Sequence, residues 1–201
     1  MKKIFLGILC VLGIITVTVT GFSLSFFTHT DSVTNVLEVG KVSIKIEEPN
    51  WTENLDKGIE PGKILSKDPF ITNIGENKAY VYIEVKIPRA ELVTVSSAGA
   101  KQAAKKQDLF AMLNISLNWT LLSHSEDADF SYYIYGYNDE LNPNDKTDSL
   151  FDSIEFLDVI EGQGISANTY IISVKAMAIQ AEETESMQEA YNKYITQNDD
   201  E

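Results

Sequence analysis

The residues of this chain most able to do chemistry are two histidines and one loop rich in oxygen atoms. His29 and His124 lie far apart, and neither belongs to a His-Glu-x-x-His motif, in which two histidines one helical turn apart bind zinc. The loop of residues 138–149 lacks the glycine and the terminal glutamate of an EF-hand. We therefore favour a solvated loop over a calcium site there. Its candidate ligands are Asp139, Glu140, Asn142, Asn144, Asp145 and Asp148.

Other catalytic signatures do not stand out from the sequence. The 30 acidic residues guarantee many chance carboxylate pairs, so they do not single out a glycosidase dyad. The sequence has no Gly-x-Ser-x-Gly elbow and no phosphate-binding loop. We expect a protein that is not an enzyme and that needs no cofactor or metal.

The first residues are typical of an export signal. Lys2 and Lys3 precede residues 4–21, an uncharged apolar run of roughly 18 residues, or about 27 Å as a helix. This run exceeds a usual signal core of about 7 to 15 residues, so a retained anchor is the alternative. Ser23 and Ser25 are small residues spaced for cleavage before Phe26. The sequence predicts a signal peptide at 1–25 and a secreted protein that meets the membrane only through this leader.

Charge and cysteine content narrow the partners of the mature chain. Without Lys2 and Lys3 it carries 14 basic and 30 acidic residues, a net charge of −16, which repels nucleic acid and anionic lipid. The only cysteine, Cys10, lies in the leader, and Leu9 before it argues against a lipoprotein signal. The mature domain therefore has no disulfide and no thiolate metal site.

Alternating apolar residues predict a series of strands. We expect them at residues 36–47, 63–73, 79–87, 115–121, 130–137, 150–156 and 170–179. The segment 115–121 alternates apolar and polar residues and should be a strong strand, and 130–137 should present tyrosines on an outer face. Because 170–179 is apolar on both faces, we expect it to be a central strand.

Two segments have helical composition or spacing. Residues 100–112 are rich in alanine, lysine and glutamine and predict an inserted helix. It would carry the one dense basic cluster, Lys101, Lys105 and Lys106, either as a solvated face or as a docking patch for an acidic neighbour, including another copy of the chain. Residues 186–194 predict a short C-terminal helix, and 196–201 a disordered acidic tail.

These elements predict one domain over residues 26–195. The fold class is all-β, an antiparallel β-sandwich with one inserted helix and a short C-terminal helix.

Several motifs resemble the TasA/camelysin family, secreted proteins of Gram-positive bacteria processed by a SipW-type signal peptidase. They are Phe27-Thr28-His29-Thr30-Asp31-Ser32, Thr34-Asn35, Val39-Gly40-Lys41-Val42, Pro61-Gly62, Ala79-Tyr80-Val81 and Ala178-Ile179-Gln180-Ala181. His29 stands where the family more often has Asp. The resemblance implies a jelly-roll-like fold and a matrix protein that assembles into biofilm fibres. Camelysin has been described as a metalloprotease, an alternative that these residues do not support.

A segment that starts at the cleavage site and runs into a strand suggests a route to fibres. Its unpaired backbone could complete the sheet of the next subunit, and such a head-to-tail contact gives a filament. The predicted assembly strand comprises Phe26, Phe27, Val33, Val36, Val39, Val42 and Ile44. Pairing of the same strand within its own subunit is equally open. The expected partners are further copies of the chain, the signal peptidase and an accessory matrix protein. The alternative function is a cell-surface accessory or binding module.

Overall fold

A computed structural model describes residues 42–51, 61–96, 98–159, 171–181 and 184–198. The predicted leader and its cleavage residues Ser23, Ser25 and Phe26 lie outside these ranges. Of the predicted assembly strand, Val42 and Ile44 are described. The rest of that strand, which is Phe26, Phe27, Val33, Val36 and Val39, lies outside them.

The described part of the chain is predominantly β, as the sequence predicts, and its strands pair antiparallel. The elements are β1 (Ile44–Glu47), β2 (Ile64–Ser66), β3 (Phe70–Asn73), β4 (Ala79–Leu92), β5 (Lys105–Asp108), β6 (Phe110–Leu113), β7 (Trp119–Glu126), β8 (Phe130–Tyr137), β9 (Ser153–Phe156), β10 (Ser173–Gln180) and the helix α1 (Met187–Asn198).

The strands form three sheets. The largest has the order β10-β4-β8-β7, with β5 paired to the far end of β4; the second has the order β2-β9-β6, and the third pairs β1 with β3. Between β5 and β6 there is one residue, Leu109. Its amide donates to the Pro88 carbonyl, and its carbonyl accepts from the Leu157 amide, each at 2.9 Å. The chain therefore passes from the first sheet to the second at this corner.

Strand β4 dominates the core because apolar residues occupy every second position from Val81 to Ile87. Val81, Ile83, Val85 and Ile87 are at most 1% exposed. Burying each such side chain contributes about 1.5 to 3 kcal/mol. Side chains of all three sheets meet them in one hydrophobic cluster, including Ile44, Leu65, Ile71, Phe110, Trp119, Ile154 and Val174.

Helix α1 covers the other face of β4. Tyr82 lies between β4 and the helix, with its hydroxyl donating to the Met187 carbonyl at 2.8 Å and its ring 5.5 Å from that of Tyr191. Met187, Ala190 and Tyr191 are buried against it. The predicted C-terminal helix is confirmed, and it continues to Asn198. No helix among the described residues is long and apolar enough to cross a membrane.

The predicted inserted helix at 100–112 is wrong, because this segment contains β5 and β6. Helix propensity is a weak preference that tertiary contacts override, and a short isolated helix is marginal. The apolar residues of this segment, Leu109 to Leu113, lie at one end, so a helix would leave its first half without an apolar face to bury. Pairing with β4 and β9 buries Leu109 and Phe110 instead.

The predicted central position of residues 170–179 is wrong for the described sheet, in which β10 is terminal and β4 is central. Strand β10 is apolar on both faces for another reason. Val174, Ala176 and Ala178 face the main core, whereas Met177 and Ile179 face the cluster beneath α1.

One expectation about side-chain direction and one about the start of a strand also fail. Tyr133, Tyr135 and Tyr137 of β8 pack against the main core, not on an outer face, and Ile134 packs toward α1. The strand predicted at 115–121 is shifted, because β7 begins at Trp119, and Leu117 precedes it and is 94% exposed. Alternation gives the two faces of a strand, but it does not say which face the helix covers.

Candidate functional site

A cleft of about 630 Å³ opens at the corner between β5 and β6. It is the candidate functional site, because ligand clefts in proteins are typically about 300 to 1,000 Å³. Its floor is apolar, and it has polar and charged side chains around it. The apolar lining comprises Ile87, Phe110, Met112, Ile115, Tyr135 and Leu157.

The topology places these residues together. Strand β5 contributes residues 105–108 to the lining, and β6 contributes Phe110, Ala111 and Met112. Strand β8 contributes Tyr133 and Tyr135. The cleft therefore lies where two sheets that share the core separate.

Arg89 organises the polar side of the cleft. Its Nη2 lies 2.6 Å from Glu126 Oε2 on β7, and its Nε lies 3.5 Å from Asp108 Oδ1 on β5. Its Nη1 donates to the Asp127 carbonyl at 3.3 Å. The side chain is 13% exposed, so one cation holds two carboxylates and the β7–β8 turn in a partly dehydrated position.

Asp108 accepts two further hydrogen bonds, from the Ser131 hydroxyl and, at 2.6 Å, from the Tyr133 hydroxyl. Burial raises the pKa of Tyr133, and the neighbouring Asp108 carboxylate raises it further. The His124 ring stacks on Tyr133, with centroids 4.3 Å apart and planes 7° from parallel. These contacts fix the orientation of Tyr133 and favour its neutral hydroxyl.

Two lysines lie on the rim. Lys105 and Lys106 are exposed and line the cleft. Lys106 stands opposite Glu91 on β4, whereas Lys105 stands opposite the buried, uncharged Leu92. Since Arg89 already contacts the two acidic residues of the lining, the rim carries a positive charge on a strongly acidic protein.

The cleft is bordered by two strand edges. Within the described residues β6 pairs only with β9, and β7 pairs only with β8. Leu121 of β7 stands opposite Tyr135 and so shares its face, yet it is 48% exposed. Ile115 on the cleft lining is 38% exposed. Apolar side chains beside unpaired backbone are the features that an added strand covers.

The described end of the predicted assembly strand lies elsewhere. Val42 and Ile44 are buried in the core of their own chain, and β1 pairs with β3 from Ile44 opposite Asn73 to Glu47 opposite Phe70. Strand β1 also contacts β10, at the opposite end of the large sheet from β7. This part of the predicted strand thus pairs within its own subunit, and the cleft lies toward the other side of the fold.

The oxygen-rich loop serves as a support for β3. The amide of Ile71 donates to Thr147 Oγ1 at 3.0 Å, and Asn73 Nδ2 donates to the Leu141 carbonyl at 2.9 Å. Asn73 Oδ1 accepts from the Gly75 amide, as expected for the Asn-x-Gly turn. No group of three or more His, Cys, Asp or Glu suited to a metal occurs in the described ranges.

Comparison with known proteins gives no match to a family model, to a curated protein or to a solved structure.

Sequence reasoning found part of this site and missed the rest. It singled out Lys105 and Lys106 as either a solvated face or a docking patch, but placed them on a helix. It missed Arg89, Asp108 and Tyr133, which come together only when β4, β5 and β8 pair. The available signal was the uncharged run from Leu109 to Leu113, whose length and composition suit a buried strand.

Proposed function

We propose that this protein is a secreted subunit of extracellular biofilm-matrix fibres, and that subunits join by strand addition. The carrying observation is the cleft at the β5–β6 corner, which within the described residues is bordered by the edges of β6 and β7 and has an apolar lining in which Ile115 is 38% exposed. The occupant is the segment after the cleavage site of a second copy. That segment offers Phe26, Phe27 and Val33 as apolar anchors.

The position of β1 supports a contact that propagates. The segment leads into β1, which lies beside β10, whereas the cleft borders β7 at the other end of the same sheet. A donor on one side and an acceptor on the other make a heterologous contact, which extends head to tail and gives a filament.

The finer fold that fits this function is a jelly-roll-like β-sandwich. Core side chains of the β10-β4-β8-β7 sheet meet those of the other two sheets in one cluster, as two layers of a sandwich do. Cleavage before Phe26 by a SipW-type signal peptidase would free the segment, so processing acts as the switch for assembly outside the cell.

The test is assembly of the mature chain beginning at Phe26, beside a version that lacks residues 26–35. We expect filaments by electron microscopy and rapid sedimentation for the first, and monomers for the second. A chain lacking only 199–201 is the matched control and should assemble. If the 26–35 deletion also forms filaments, strand addition by this segment is overturned.

The segment of the same chain is the competing occupant of the cleft. About 16 residues in extended form span about 50 Å, so length alone does not decide between the two. Dilution distinguishes the two occupants, because an intramolecular contact persists on dilution whereas a contact between copies is lost.

The second candidate is a cell-surface accessory or binding module. The polar groups that converge on an apolar cleft, Arg89, Asp108 and Tyr133, favour it. In that case the mature chain would stay monomeric at high concentration and would bind an accessory matrix protein through the same cleft. Substitutions in the cleft would then reduce that binding.

A further inference from the structure

We propose that Lys105 and Lys106 recognise Asp31 of the segment donated by a second copy, and that this contact sets the register of the added strand. The inference rests on the proposed function. It adds the residues that determine which of several alignments the donated strand adopts on the cleft.

The rim charge is the first observation. Lys105 and Lys106 are exposed at the cleft, and the acidic residues of the lining, Asp108 and Glu126, already contact Arg89. Lys105 is the less compensated of the two lysines, because its cross-strand neighbour is Leu92. A negative group on the occupant would therefore meet an available cation there.

The charge of the segment is the second observation. Between Phe26 and Leu37 the sequence has one acidic side chain, Asp31, and no lysine or arginine. The Asp31 carboxylate thus complements the positive rim, while cleavage would place a positively charged amino group at Phe26, away from Asp31.

Strand geometry connects the two observations. In an added strand the side chains would alternate between two faces, so Phe27, Asp31 and Val33 would share one face. Phe27 and Asp31 would then be about 13 Å apart, which would allow the ring to enter the apolar floor while the carboxylate reaches the rim. A slip of one residue would turn all three to the opposite face. The charge pair therefore selects the register in which the apolar residues are buried.

The contact should govern specificity more than affinity. Exposed ion pairs contribute little and are screened by salt. Like charges placed together are strongly disfavoured, so charge reversal is the informative change.

The experiment measures the critical concentration for filament formation by sedimentation of the mature chain. Asp31→Lys alone should raise it about tenfold at low salt, and so should Lys105→Glu with Lys106→Glu. The three changes together should return it to within about twofold of the unaltered chain, because they restore the opposite charges with exchanged signs. Circular dichroism verifies that each variant is folded.

The matched control is Lys101→Glu combined with Asp31→Lys. Lys101 belongs to the same basic cluster but does not line the cleft. Its backbone forms an isolated β-bridge with Val95. This combination should not rescue assembly. Rescue by Lys101→Glu as effective as that by the rim pair would show a general charge effect and overturn the inference.

The remaining outcomes separate the two proposals. Filaments whose critical concentration does not respond to Asp31→Lys overturn this inference and leave strand addition standing. If the unaltered mature chain forms no filaments, the proposed function fails and this inference fails with it.

Discussion

Arg89 Nη2 lies 2.6 Å from Glu126 Oε2, and this contact joins β4 to β7 across the polar side of the cleft. We expect Arg89→Met to lower the free energy of unfolding by about 1 to 3 kcal/mol, since it leaves Asp108 and Glu126 close together without their cation. The figure is below that for a fully buried pair because Glu126 is 45% exposed. Urea unfolding of the two chains measures it.

A double-mutant cycle distinguishes the charge effect from lost packing. Glu126→Gln removes one of the two unpaired carboxylates, so it should cost less in the Arg89→Met chain than in the unaltered chain. Strictly additive losses would contradict a direct interaction between Arg89 and Glu126.

Gly136 gives α1 its close approach to β8. A Cβ at this position would lie 2.9 Å from Met187 Cγ and 3.0 Å from Leu122 Cδ1, and it would also meet Met187 Sδ. We expect Gly136→Ala to destabilise the fold by about 1 to 3 kcal/mol, because the methionine must leave its place against Tyr82. Thermal unfolding followed by circular dichroism measures the loss.

The partner change for that test is Met187→Ala. Alone it should destabilise by opening a cavity, but in the Gly136→Ala chain it should cost much less, because the alanine methyl fills part of the space. An equal cost in both chains would mean that the two residues do not compete for the same volume.

Alkaline pH should unfold the protein through its tyrosines. Burial raises the pKa of six of them, Tyr80, Tyr82, Tyr133, Tyr135, Tyr137 and Tyr191. The unfolded chain releases these protons near pH 10, whereas the folded chain retains them. This contribution to stability is therefore fully present below about pH 10 and is lost as the pH rises above it.

Tyrosinate absorbance and far-ultraviolet circular dichroism, recorded on one sample from about pH 8 to about pH 12, test this expectation. We expect the main rise in tyrosinate absorbance to come above about pH 10 and to coincide with loss of the strand signal. Ionisation of all nine tyrosines near pH 10 with the strands intact would contradict it.

What the sequence predicted well is what neighbouring residues determine. The alternation of residues 79–87 identified the inner face of β4, and the spacing of Met187, Ala190 and Tyr191 identified the buried face of α1. In each case burial of one face imposes the spacing of the apolar residues, and that spacing can be read from the local sequence.

The cleft could not be predicted in this way, because its residues depend on pairing between distant segments. Arg89 meets Asp108 only because β5 pairs with β4, and the composition of β5 favours a helix. Sheet order has the same dependence: β10 is apolar on both faces because α1 covers it, which its own residues do not reveal. Long-range pairing, not local preference, determines the candidate site.

Leu121 is an exposed apolar residue beside Tyr135 on β7, which is an edge strand within the described residues. Leu121→Asp should abolish filament formation, since it places a charge where the donated strand would bury apolar side chains. It should change the free energy of unfolding of the monomer by about 1 kcal/mol or less, because the leucine is half exposed there already. Sedimentation and urea unfolding measure the two effects separately.

Ile64→Asp is the matched control. Ile64 is an exposed apolar strand residue of similar accessibility, 58% against 48% for Leu121, but it lies on β2, which contributes no residue to the cleft lining, whereas β7 contributes Glu126. We expect its variant to assemble normally. Equal loss of filaments in both variants would mean that assembly depends on general surface hydrophobicity. Unimpaired assembly of Leu121→Asp would remove the β7 side of the cleft from the acceptor surface, and β6 would then be the edge that pairs with the donated strand.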